Sequence, residues 1–183
     1  MSQTAKRAAI LGLLAAITIG AAAALTSVDA RIGVRASADP DTEAQFATNW
    51  LLGAVFAYTS GSVIGHVCAL LAGYLGTRWW GPRDGVLAGA SIGVVNLATS
   101  ASLAAFITRD GGAMSGYAPY VDPNPLHQPA VLIAVLAVLG TAVLAARMGA
   151  SVGEQERPLP GLITLIIVIP VMHLIAFLVL THP

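Results

Sequence analysis

The chain has 183 residues, 56% hydrophobic and 10% charged, with nine Lys+Arg matched by nine Asp+Glu, and its mean hydropathy is +0.78. A soluble domain carries roughly 25% charged residues, so this balance excludes an ordinary soluble domain, a disordered polymer kept solvated by charge, and a nucleic-acid binder, which needs a basic surplus. Cys68 is the single cysteine, so no disulfide framework forms within the chain; the class that remains is an all-α, polytopic transmembrane helical bundle.

An α-helix needs about 20 apolar residues to cross the ~30 Å hydrocarbon. Five runs meet that length in one membrane domain covering 1–183: residues 8–25, 47–76, 85–107, 129–146 and 161–181. None of the eighteen charged residues falls inside them. The first run follows Lys6-Arg7 and precedes Val28-Asp29-Ala30, a pattern shared with signal peptides that end on a small-residue cleavage site. Its apolar stretch exceeds the ~7–15 residues of a signal peptide's apolar region, which favours a retained helix. If the segment is cleaved, four helices remain in the same orientation. A polar external loop, 26–46, leads to the second run, with Asp41-Thr42 after Pro40 as a helix-start signal.

The second run is long: thirty residues would span about 45 Å. That length implies tilt, a protruding end, or a break near Thr59-Ser60-Gly61-Ser62. Gly53, Ala57, Gly61, Gly65, Ala69 and Gly73 recur every fourth residue along one side. Small residues at this spacing let a second helix approach closely, either within the bundle or from another subunit. Gly85, Gly89 and Gly93 repeat the pattern in the third run. The loop 108–128 is rich in Gly and Pro and too polar to enter lipid unprotected. The fifth run contains Pro170, which cannot donate a backbone hydrogen bond to Ile166.

Successive runs alternate sides of a membrane. One side then holds Lys6, Arg7, Arg78, Arg83, Arg147 and Arg157, and the other Arg31, Arg35 and Arg109. Because basic loops resist translocation, the N-terminus is expected in the cytoplasm and the C-terminus outside, in the cell (plasma) membrane. Trp50, Tyr117 and Tyr120 would mark the outer interface; Tyr74, Trp79 and Trp80 would mark the inner one.

With every full charge excluded from the runs, the chemistry narrows to uncharged polar groups. His66 lies twelve residues before Arg78, Asn96 twelve after Asp84, and His173 twelve after Gly161. At 1.5 Å per residue each sits about 18 Å from the cytoplasmic markers, so Ser62, His66, Asn96 and His173 form a candidate midplane polar cluster. Paired imidazoles from two helices can ligate a b-type haem axially; the same groups equally serve as hydrogen-bonding glue between helices. A second pair, His127 and His182, flanks the last two runs on the outer side and is a candidate external metal site.

There is no Gly-rich phosphate loop or HExxH, and the short cytoplasmic loops leave no room for a catalytic domain. The leading expectation is therefore a non-catalytic accessory or assembly subunit, meeting a partner membrane subunit or a second copy through the small-residue face of the second run. The alternatives are a haem electron-transfer subunit ligated by His66 and His173, and a small-solute permease using the midplane cluster.

Overall fold

The computed structural model describes residues 2–36, 62–109 and 129–181, with side chains over 2–24, 62–100, 102 and 136–175. Every regular element in the described residues is an α-helix: α1 Gln3–Ala36, α2 Ser62–Trp80, α3 Pro82–Arg109, α4 Pro129–Gly153 and α5 Pro158–Thr181. Over Gln3–Ala24, Leu136–Gly153 and Pro158–Ile175, the helices α1, α4 and α5 are long and apolar enough to cross a membrane.

The helices extend past the apolar runs at most of the ends. Backbone helix in α1 continues to Ala36, into the stretch expected as the loop 26–46. The second helix ends at Trp80 instead of 76, the third and fifth begin three residues earlier than expected, and the fourth continues to Gly153. Hydropathy ends a run at the first charge, whereas a helix ends where its last carbonyls find other partners. Ser2 shows the same logic at the start of α1: its hydroxyl accepts from the Ala5 N–H at 3.2 Å, an N-cap. Residues 47–61 of the second run, including Gly53, Ala57 and Gly61, lie outside the described residues, as does the loop 110–128.

The turn between α2 and α3 follows from three residues. Gly81 adopts φ +107°, a left-handed conformation open to glycine at little cost, and its N–H donates to the Thr77 carbonyl at 3.0 Å. Pro82 then opens α3 at the position where its missing N–H is no loss, and Asp84 sits in the first turn, favourable against the positive end of the helix dipole. The turn from α4 to α5 spans residues 154–157, and the Arg78 guanidinium donates to its Gln155 carbonyl at 3.1 Å. Arg7 of α1 reaches the same end, donating to the Trp79 carbonyl at 3.4 Å. Its charge lies 5.8 Å and 5.9 Å from the Trp79 and Trp80 ring centroids, within range of a cation–π attraction. Arg7 and Arg78, two of the basic residues assigned to one side by the sequence, thus lie at the same end of the bundle.

Helix α2 is central and packs along both α3 and α4, which also pack on each other; α1 lies against α3 and α2, and α5 touches α2 and α4 more sparingly. The close approaches are made by small residues. A methyl built on Gly73 would strike the Ala146 carbonyl oxygen, and one on Gly89 would lie 2.5 Å from both the Ala146 methyl and the Ala69 carbonyl. Ala146, fully buried, thus marks the line where α2, α3 and α4 meet. Leu14, Cys68, Ala69, Ala72 and Ile92 join α1 to this core, and Leu70, Ala145, Val152 and Leu162 join α4 and α5 to α2.

Of the two readings of the small-residue face, the described part, Gly65, Ala69 and Gly73, packs against the chain's own α3 and α4. Backbones in such contact leave no groove for a further helix.

Candidate functional site

The polar centre of the bundle lies where α2, α4 and α5 converge. Ser62 and His66 are one turn apart on α2 and so share a face; both are buried, His66 at 3% exposure. Helix α5 brings His173 against them. His66 Nδ1 lies 3.1 Å from His173 Nε2, and the ring centroids are 5.0 Å apart with planes tilted by 43°. Ser62 Oγ makes a longer contact, 3.4 Å, with the same His173 nitrogen.

The far side of each ring is also engaged. His173 Nδ1 lies 2.8 Å from the Ile169 carbonyl oxygen one turn back on its own helix. A carbonyl only accepts, so Nδ1 carries the ring proton. Ile169 immediately precedes Pro170, which stays inside a continuous α5. On the other ring, His66 Nε2 lies 2.8 Å from Thr141 Oγ1 and 3.4 Å from the Val138 carbonyl of α4. Thr141 in turn reaches back to the Ala137 carbonyl at 2.7 Å. A polar chain therefore runs from Ile169 through His173 and His66 to Thr141 and Ala137, crossing three helices.

Of the four residues expected in one cluster, the structure joins Ser62, His66 and His173 and sends Asn96 elsewhere. Asn96, 2% exposed, lies against the neighbouring face of α2, where a methyl built on Gly65 would sit 2.5 Å from its Cγ. Among the described residues its Oδ1 is buried without a hydrogen-bond partner, as is Thr77 Oγ1. Equal depth did not imply contact: Gly65 and His66 are successive residues, turned about 100° apart around the helix.

Thr141 is the member that sequence reasoning missed. It is the one polar side chain between 129 and 146, and it lies twelve residues before Gly153, the same interval that places the other three. Counted from a helix end at Gly153 instead of 146, Thr141 falls at the same depth as the other three. His127 and His182, the candidate external metal pair, lie outside the described residues. Among the described residues no group of three or more His, Cys, Asp or Glu is arranged to hold a metal ion.

The spacing of the imidazoles bears on what the pair does. Nitrogens ligating one ion from opposite sides stand about 4 Å apart, twice a metal–nitrogen bond of ~2 Å. At 3.1 Å the two nitrogens are at N–H···N hydrogen-bond separation, and a haem between them requires the rings to part. Comparison with known proteins returned no matching family model, no matching curated relative and no matching solved structure, so the site is read from its own geometry.

Proposed function

We propose that this protein is a multi-pass integral membrane protein of the cell membrane, serving as a non-catalytic accessory or assembly subunit of a membrane complex. One observation supports this reading above the others: the polar groups around His66 and His173 are bonded to each other and to carbonyls of their own bundle, whereas the outer helices are apolar. Only 6% of the Pro158–Ile175 window of α5 is buried, and Leu159, Ile163, Ile167 and Leu174 are exposed on it. An apolar surface of this extent suits hydrocarbon and the helix of a partner or a second copy, since helices associate in lipid by close packing and polar contacts. The basic end built around Arg7, Arg78 and the 154–157 turn supports five crossings with the N-terminus in the cytoplasm and the C-terminus outside.

Native mass analysis after gentle extraction from its own membranes tests the subunit role. The expected result is an assembly with a second polypeptide or a second copy; a lone monomer overturns it. Orientation is tested in a Cys68→Ser background by a membrane-impermeant maleimide. Ser115→Cys should react on intact cells, and Gln155→Cys should react after permeabilisation; the reverse pattern overturns the assignment.

A further inference from the structure

We propose that His66 and His173 together form a binding site for one additional proton, shared between His66 Nδ1 and His173 Nε2, so that the pair takes up a single positive charge as a unit. The inference goes beyond the accessory-subunit reading and does not depend on which partner the apolar faces meet.

The neutral pair holds fewer protons than its short contacts require. Four short contacts form the polar chain: His173 Nδ1 to the Ile169 carbonyl, His66 Nδ1 to His173 Nε2, His66 Nε2 to Thr141 Oγ1, and Thr141 Oγ1 to the Ala137 carbonyl. Each needs one hydrogen. With both rings neutral, the two histidines and the threonine hydroxyl supply three. The Ile169 contact takes the proton of His173, leaving its Nε2 a bare acceptor. If His66 places its proton on Nδ1, the bond between the rings forms, its Nε2 must accept from Thr141, and the 2.7 Å contact to Ala137 loses its hydrogen. If His66 places its proton on Nε2, it donates to Thr141 and Thr141 donates to Ala137. The two rings then face each other with lone pairs 3.1 Å apart. In either arrangement the chain lacks one hydrogen. One further proton on the pair makes all four contacts hydrogen bonds at once, with no change in the placement of any ring.

Ser62 does not remove the deficit. Its oxygen addresses the His173 nitrogen from 3.4 Å, and a hydroxyl donated there still leaves the His66 Nδ1 lone pair without a hydrogen in the second arrangement.

The surroundings limit uptake to one proton. The groups facing the pair are Ser62 of α2, Val138 and Thr141 of α4, and Ile169 of α5, none of which carries a charge. Cys68, the other titratable group on this part of α2, packs against α1 instead. The nearest full charges along the described lengths of these three helices are Arg78, twelve residues from His66, and Arg147, six from Thr141, roughly 18 Å and 9 Å along their helix axes. With no carboxylate to offset it, a cation here is stabilised by delocalisation over two rings and by the carbonyl dipoles of Ile169, Val138 and Ala137. A second proton would set two imidazolium ions in direct contact in a region of low dielectric, where like charges repel strongly. A proton bound here therefore belongs to the pair and not to either ring alone.

The test is nitrogen NMR of the full-length protein, labelled with 15N-histidine and held in lipid nanodiscs. His127→Gln and His182→Gln leave two imidazoles, and His66→Gln and His173→Gln assign them; if one of these fails to fold, the other assigns both signals by elimination. The titration runs downward from about pH 8 until the helical circular-dichroism signal is lost. The expected result is one proton taken up per protein, with both rings changing at a shared midpoint and a nitrogen–nitrogen coupling across the hydrogen bond in the protonated form. Two protons taken up at separate midpoints, or two rings that stay neutral until the fold is lost, would overturn the proposal.

Discussion

Gly149→Ala is the sharpest test of the packing around α2. A methyl group at this position of α4 would strike the Leu70 carbonyl oxygen, with the Leu70 carbonyl carbon at 2.9 Å and the Tyr74 nitrogen at 3.1 Å. All three atoms are backbone, so no side-chain rotation relieves the clash and α2 must move away from α4. Overpacking a tight interior costs typically 1–3 kcal/mol, and rigid backbone partners put this site near the top of that range. Alanine returns about 1 kcal/mol through its better helix propensity, leaving a net loss of about 2 kcal/mol, or roughly 30-fold in the unfolding equilibrium. Gly140→Ala is the matched control on the same helix: among the described residues nothing lies within 4 Å of its added methyl, so the propensity gain stands alone and the variant should equal or exceed the parent. The assay is denaturation in mild detergent micelles by added SDS, followed by tryptophan fluorescence and by circular dichroism. Equal stability of Gly149→Ala and the parent, or equal losses in both variants, would refute the close α2–α4 contact.

Three other outcomes are expected. Arg7→Ala removes both the contact with the Trp79 carbonyl and the cation–π pair, lowering stability by about 0.5–1 kcal/mol and altering tryptophan emission. Lys6→Ala, the adjacent control, should leave the emission unchanged. Thr141→Val keeps the shape of the side chain and deletes its hydroxyl, costing about 0.6 kcal/mol on the scale of interhelical bonds in membranes; Thr141→Ser should retain most of the parent's stability in the same denaturation assay. Protein purified gently from haem-replete cells should show no Soret band, since the rings stand at hydrogen-bonding distance. A Soret band lost in both His66→Ala and His173→Ala would instead establish bis-imidazole ligation.

Much of the arrangement was legible as one-dimensional spacing. Counting along helices from their charged ends put His66, Asn96 and His173 at one level, because rise per residue in an α-helix is constant. Level alone could not say which of them touch. His66 and His173 meet because α5 lies on the α2–α4 side of the bundle, whereas Asn96 belongs to α3 and reaches α2 beside Gly65. The small-residue pattern has the same limit. Gly73 and Gly149 announce a close approach, but the identity of the helix that approaches is a property of the assembled bundle.

What the sequence determined by itself is therefore helical class, apolar run lengths and the ordering of charges, all consequences of local composition and a fixed helical rise. Turn chemistry was local too: Gly81 followed by Pro82 ends one helix and starts the next through backbone preferences that need no tertiary contact. Only the tertiary structure decided that the small face of α2 is spent on the chain's own α3 and α4. It also decided that Thr141 completes the polar chain and that the two imidazoles meet at hydrogen-bonding distance. Those facts depend on the rotation of each helix about its axis and on which neighbours it has. Sequence constrains both weakly here, because the helices are apolar on nearly every side and several rotations would bury comparable surfaces.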